Sequence, residues 1–256
     1  SFFNGLLDEF RIYKRALTQD EVIENMNSEY PVATPLIAYS FESIDGNNVL
    51  DTHNTVKGKS GAAASFDGKN DYINIPKRDS LDIRDDITIV AWVKPAEGKD
   101  QRIVSKRLAY LFYTTESLRF RGYLYLEGST FAYAKTNAVM VPDTWYHRTM
   151  VSSYHPTERR IQLYINGVLQ DLATDEAGQG QIDVNANNLV IGQLDNANFF
   201  NGLIDDVAIY NRKLSESEIV TDYLVSSKPG DSKLFFTFDS EPEYQEVVAC
   251  ENLNQI

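Results

Sequence analysis

The sequence predicts an all-β fold, a two-sheet antiparallel jelly-roll sandwich with short helical turns after the last strand, and three observations carry that prediction. Fifteen Tyr and thirteen Phe among many Thr, Val and Ile favour pleated, half-buried surfaces over helices. Short apolar segments alternate with turn residues along the whole chain, and Asn166-Gly167 between two such segments is a strong hairpin signal. The 256 residues, 43% of them hydrophobic, are enough to fill one large sandwich core.

The strand candidates in order are residues 37–41, 72–75, 87–93, 118–126, 145–151, 161–165, 189–191 and 203–209. Their spacing suits two stacked sheets. Within 118–126, side-chain alternation puts Phe120, Gly122, Leu124 and Leu126 on one face, the core face, and Arg119, Arg121, Tyr123 and Tyr125 on the other. The polar stretch 215–224 opens on Ser215 with Glu218 three residues on, which is a helix N-cap signature.

An internal repeat divides the chain. Phe2-Phe3-Asn4-Gly5-Leu6-Leu7-Asp8 matches Phe199-Phe200-Asn201-Gly202-Leu203-Ile204-Asp205, and Phe199 stands 197 residues after Phe2. Ile12-Tyr13, Arg15, Leu17 and Glu21 continue the match to Ile209-Tyr210, Arg212, Leu214 and Glu218 at the same offset. Residues 1–30 are therefore expected to close a preceding repeat, 36–225 to form the complete domain, and 233–256 to open a following repeat. Thr34-Pro35 and the segment from Ser226 to Gly230 supply turn and linker residues at the junctions. The amino terminus lacks the basic start of a signal peptide, so the chain reads as an excised fragment.

A net charge of −13 repels nucleic-acid phosphates and anionic lipid, which excludes nucleic acid as a partner. No apolar run reaches about 18 residues, so membrane insertion is not expected. Cys250 is the single cysteine and forms no intrachain disulfide.

Four local patterns, in their order and spacing, resemble the laminin-G-like, concanavalin A-like jelly-roll family of bacterial surface and secreted proteins. They are Phe66-Asp67-Gly68-Lys69-Asn70-Asp71-Tyr72-Ile73, Ile87-Thr88-Ile89-Val90-Ala91-Trp92-Val93, Trp145-Tyr146-His147 with Leu163-Tyr164-Ile165-Asn166-Gly167, and the run Gly202 to Tyr210. The resemblance spans 36–225 and implies two curved sheets, an extracellular or cell-surface setting, and often one structural calcium. Gly192-Gln193-Leu194-Asp195-Asn196 also resembles the metal loop of pentraxins, with Arg107-Leu108 where pentraxins place Asp-Asn.

Calcium takes six to eight oxygens and ties distant loops together. The resemblance matches Asp205 to an Asp that pins the first strand to the last, and the expected Ca2+ set is Asp205, Glu42, Asp51, Asp67 and Asp71. Beside this stands the plainer reading in which Asp67-Gly68 and Asn70-Asp71 are turn-formers.

The expected ligand-binding residues are Arg119, Arg121, Tyr123, Tyr125 and Tyr133, with Phe131 extending the set. Aromatic rings stack on sugars, and guanidinium groups fork hydrogen bonds onto hydroxyls or carboxylates. Glycosidases of this architecture need two carboxylates on one strand face. Residues 118–126 carry none, so no enzyme is expected. His147, beside Trp145 in a strand-like run, is expected to be structural. These readings point to a non-catalytic module of a tandem-repeat protein that binds a glycan or surface protein, with neighbouring repeats as further partners. A structural spacer without a ligand and an accessory domain of a glycoside hydrolase are the alternatives.

Overall fold

The computed structural model describes residues 37–39, 50–51, 54–59 and 62–226. The expected flanking pieces 1–30 and 233–256, and Glu42 of the calcium set, lie outside the described residues. In chain order the described strands begin with β1 (Ile37–Tyr39), β2 (Leu50–Asp51), β3 (Asn54–Lys57), β4 (Ala62–Asp67), β5 (Ile73–Ile75) and β6 (Ile87–Pro95). Next come β7 (Gln101–Lys106), β8 (Tyr110–Thr114), β9 (Arg119–Leu126), β10 (Thr130–Val139), β11 (Tyr146–Ser152) and β12 (His155–Arg159). The last are β13 (Gln162–Ile165), β14 (Val168–Leu169), β15 (Leu172–Glu176), β16 (Gly178–Gly180), β17 (Leu189–Ile191) and β18 (Asn201–Tyr210), followed by helix α1 (Glu216–Ser226).

Two antiparallel sheets form the sandwich. The first runs β14-β13-β11-β6-β18-β4-β3 with β1 also on β18, and the second runs β15-β10-β9-β8-β7-β17-β5-β2. The first and last strands are neighbours, with Ile37 opposite Ile209.

Strand β6 shows why the sheets stack. Ile87, Ile89, Ala91 and Val93 point into the shared core, while Thr88, Val90 and Trp92 are buried on the reverse face, so the segment is apolar almost throughout. From the second sheet Phe112, Phe120, Leu124 and Leu126 meet them, with Phe112 and Phe120 edge to face at 4.8 Å. A Cβ on Gly122 would lie 2.4 Å from Met150 Sδ, so any larger residue here would displace Met150 where the two sheets approach closely.

Helix α1 begins as the sequence predicts. Ser215 Oγ accepts the Glu218 N–H at 3.3 Å, and Glu218 Oε2 accepts the Ser215 N–H at 2.8 Å, a reciprocal capping box. Asn166 and Gly167 carry φ values of 51° and 76° in the tight turn between β13 and β14, the conformation such hairpins need.

Strands β4, β7, β8, β10 and β15 had no counterpart among the sequence candidates. In β7 the reason is visible, because Gln101, Arg102, Ser105 and Lys106 break the apolar pattern although the whole strand is buried. Two of these residues have dedicated partners, since Lys106 Nζ donates to the carbonyls of Asn185 and Asn187 at 3.2 and 2.8 Å and Gln101 Oε1 accepts the Asn201 N–H at 2.6 Å, whereas Ser105 Oγ is buried without one.

Candidate functional site

The outer face of the second sheet is built by β7 to β10. Along β9 buried and half-buried residues alternate strictly, so Phe120, Gly122, Leu124 and Leu126 enter the core and Arg119, Arg121, Tyr123 and Tyr125 face outward. Cross-strand register sets Phe131 opposite Tyr125, Tyr133 opposite Tyr123, and Lys135 opposite Arg121.

Four aromatic rings then form one platform. Tyr123 and Tyr133 are stacked with ring planes 9° apart and centroids 5.8 Å apart. Phe131 stacks on Tyr123 at 5.6 Å, and Tyr125 lies 4.8 Å from it at a tilt of 53°. Burial, and then the neighbouring Tyr125, hold the Tyr123 hydroxyl above the ordinary phenol value, so it stays a neutral donor at physiological pH.

The platform ends in cations. The Arg121 guanidinium lies 4.5 Å from the Tyr133 ring and 5.7 Å from the Tyr113 ring, and Arg102 covers Tyr113 at 4.1 Å. A surface depression of about 320 Å³ opens here, lined by Asp100, Thr115, Glu116, Ser117, Arg121 and Lys135.

Of the expected ligand-binding residues the structure groups Arg121, Tyr123, Tyr125 and Tyr133. Arg119 shares their outward face at the start of β9. Its Nη1 donates to the carbonyl of Thr136 at 3.0 Å and also to that of Asn137, so it braces the irregular end of the β9–β10 pair. Arg102, Tyr113 and Lys135 were missed because β7, β8 and β10 were not recognised as strands.

Of the expected calcium set the described side chains are those of Asp67, Asp71 and Asp205, and they fall at two places, with Asp67 and Asp71 in one turn and Asp205 further along β18. Register puts Asp67 opposite Asn201, four residues from Asp205 on β18, a separation of roughly 13 Å along the strand. Asp51 stands on the other sheet, opposite Ile73. Among the described residues no three His, Cys, Asp or Glu side chains converge as a metal cluster.

The carboxylates of Asp67, Asp71 and Asp205 each accept backbone hydrogen bonds. Asp67 Oδ1 accepts the N–H groups of Lys69 and Asn70 at 2.8 and 3.3 Å, and Asp71 Oδ2 accepts the Asp67 N–H at 2.9 Å, which is the turn-forming role. Asp205 is fully buried, and its two oxygens accept the N–H groups of Lys59 and Asp206 at 3.0 and 2.9 Å. In the loop that resembles the pentraxin metal site, Arg107 Nε meets Asp195 Oδ2 at 2.8 Å, a guanidinium where a cation would sit.

His147 is buried and structural. Its Nε2 pairs with Asp222 Oδ2 of α1 at 2.9 Å, and its ring packs on Trp92 at 5.2 Å and Tyr223 at 5.8 Å, which seats the helix on the first sheet.

A laminin-G-type family model, described as the concanavalin A-like lectin/glucanases superfamily, matches residues 67–220. The chain belongs to this superfamily. Among solved structures it is similar to the binding domain of Paraclostridial Mosquitocidal Protein 1, at 19% identity and TM-score 0.57, covering 69% of this chain and 47% of that one. It is similar to domain 4 of AbnA, a GH43 extracellular arabinanase from Geobacillus stearothermophilus in complex with arabinotriose, at 19% identity and TM-score 0.54, covering 75% and 98%. The botulinum neurotoxin serotype G binding domain follows at 16% identity and TM-score 0.53, covering 75% and 51%. This chain thus spans about half the length of the two toxin domains, and at these identities the likeness is one of fold. No curated protein matches the chain. Among the described residues no helix is long and apolar enough to cross a membrane.

Proposed function

We propose that this domain is a non-catalytic carbohydrate-binding module whose site is the outer face of β8 to β10. One observation carries the reading: Tyr123 and Tyr133 present stacked, near-parallel rings beside Tyr125, Phe131 and the outward-facing Arg121. Rings fixed by their neighbours lose little conformational freedom on contact, and the apolar face of a pyranose lies flat on such a platform. Strand β9 carries no carboxylate, so it does not supply the acid pair on one strand face that glycosidases of this architecture use.

The arabinotriose complex of the AbnA domain supports the saccharide reading. It also favours the narrower version in which this module serves a secreted glycoside hydrolase, because that domain is matched over nearly its whole length. In a repeated extracellular or cell-surface protein, copies of one weak site would act together through avidity.

A glycan array with the wild-type chain and the Tyr123→Ala/Tyr125→Ala variant is the test. We expect saccharide binding by the wild type and its loss in the variant, with the fold retained by circular dichroism and the melting temperature lowered by only a few degrees. Retained binding in the variant would move the site away from this face.

A further inference from the structure

The aromatic platform borders a second feature with its own chemistry. Register places Lys135, Arg121, Tyr113 and Arg102 in one row across β10, β9, β8 and β7. Three of these four positions are cationic in a chain with 24 basic and 37 acidic residues.

Two of the three cations have no counter-charge. Arg102 is neutralised by Asp100 at 2.7 Å. Arg121 and Lys135 form no ion pair among the described residues, although they stand directly opposite each other, where like charges repel. Nε of Arg121 is buried without a hydrogen-bond partner. The guanidinium is nonetheless held in place between the faces of Tyr133 and Tyr113. A fixed, half-buried, incompletely paired guanidinium beside a second free ammonium is the arrangement that receives a planar anion.

We propose that this row is a carboxylate-reading subsite, and that the ligand is an acidic glycan carrying uronic-acid-type residues. The proposal rests on the saccharide reading of the neighbouring platform and specifies its substrate class. The charge balance selects a single negative charge. Within the depression Arg121 and Lys135 face one remaining carboxylate, that of Glu116, because Asp100 is already taken by Arg102. One ligand carboxylate restores neutrality, whereas a densely sulfated or phosphorylated chain brings more negative charge than the row balances.

Spacing fits as well. Tyr133 and Tyr123 precede and follow Lys135 and Arg121 by two positions on their strands, about 6.7 Å. A sugar ring stacked on the tyrosines therefore places its own or the next residue's carboxylate over the cations. The hydroxyls of Thr115 and Ser117 line the same depression and suit the sugar hydroxyls.

The experiment compares trigalacturonate, its methyl ester and neutral arabinotriose by isothermal titration calorimetry, on the wild type, Lys135→Gln and Tyr123→Ala. We expect the acid to bind at least tenfold more tightly than its ester, Lys135→Gln to remove most of that difference, and Tyr123→Ala to weaken all saccharides together. Equal binding of acid and ester, or a difference that survives Lys135→Gln, overturns the carboxylate subsite while leaving the saccharide platform standing. Binding of none of the saccharides by a folded wild type overturns both. Circular dichroism on each variant verifies the fold, and Lys135→Arg, which keeps the charge, is expected to restore the preference for acid over ester.

Discussion

Tyr133 and Tyr123 lie ring on ring across the β9–β10 pair, 5.8 Å apart and 9° from parallel, and neither side chain belongs to the core. A pair of this kind contributes roughly 0.5–1.5 kcal/mol beyond its buried area. Tyr133→Ala removes the partner that keeps Tyr123 flat and also uncovers Arg121. Saccharide affinity should fall by roughly three- to tenfold, with both acidic and neutral ligands affected, as titration calorimetry would read.

The capping box makes helix α1 sensitive to acid. Hydrogen bonds from Arg212, then from the Ser215 backbone and hydroxyl, outweigh partial burial and lower the Glu218 carboxyl to about 2. A depressed carboxyl stabilises the fold above its unfolded value near 4.5 and loses that contribution as pH falls toward 2. After discounting for its partial exposure, on the order of 1–2 kcal/mol is at stake. Urea denaturation of Glu218→Gln should show a shallower loss of stability between pH 5 and pH 2 than the wild type, and Ser215→Ala should cost about 1 kcal/mol at pH 7.

Arg148 is fully buried, with Nε and Nη1 unpartnered, Nη2 directed at the Met140 thioether, and its guanidinium 5.3 Å from the Phe120 ring. Burial lowers it to about 9. The folded state therefore releases this proton before the unfolded chain does, and stability rises as pH climbs past about 9. Arg148→Met should raise stability by roughly 1–4 kcal/mol at pH 7 and flatten the alkaline limb. A melting temperature lowered by this substitution would contradict the account.

Gly202 has φ +136°, and a Cβ there would stand 2.2 Å from the carbonyl oxygen of Lys94. No side-chain rotation relieves a contact with backbone on the neighbouring strand. Gly202→Ala should cost more than about 3 kcal/mol, read as a lower denaturation midpoint, because it strains the β18–β6 pairing at the middle of the first sheet.

Asp205→Asn should also destabilise, by roughly 1–3 kcal/mol, since an amide provides one acceptor oxygen where two backbone N–H groups now bind. Asp67→Asn, at an exposed turn, should cost well under that. Thermal melts of the two variants side by side decide the ranking.

Much of the fold was legible because its strands advertise themselves. Residues 87–93 are β-branched or aromatic apart from Ala91, 118–126 alternates without a fault, and Ser215 with Glu218 marks the helix start. Gly202 recurs as Gly5 in the repeated block, and the contact with Lys94 gives the physical need at Gly202. Strand β7 was illegible because its polar residues find partners on segments far along the chain, such as Asn185 and Asn201, which no local pattern announces. The same reason limited the site. The Tyr and Arg face of β9 followed from parity, but the cationic row exists only through the pairing of four strands. The distance between Asp67 and Asp205 was likewise invisible in the sequence, because it follows from the register that sets Asp67 opposite Asn201.

The antiparallel adjacency of β1 and β18 bears on how the domain answers to force. Ile37 lies opposite Ile209, so a pull through Ile37 against Tyr210 acts on one end of that pair. The bonds between the two strands then part singly, in the manner of a zipper, rather than being sheared together along their length. A pull at these two points therefore parts β1 from β18 at low tension and leaves the pairings of β18 with β4 and β6 in place.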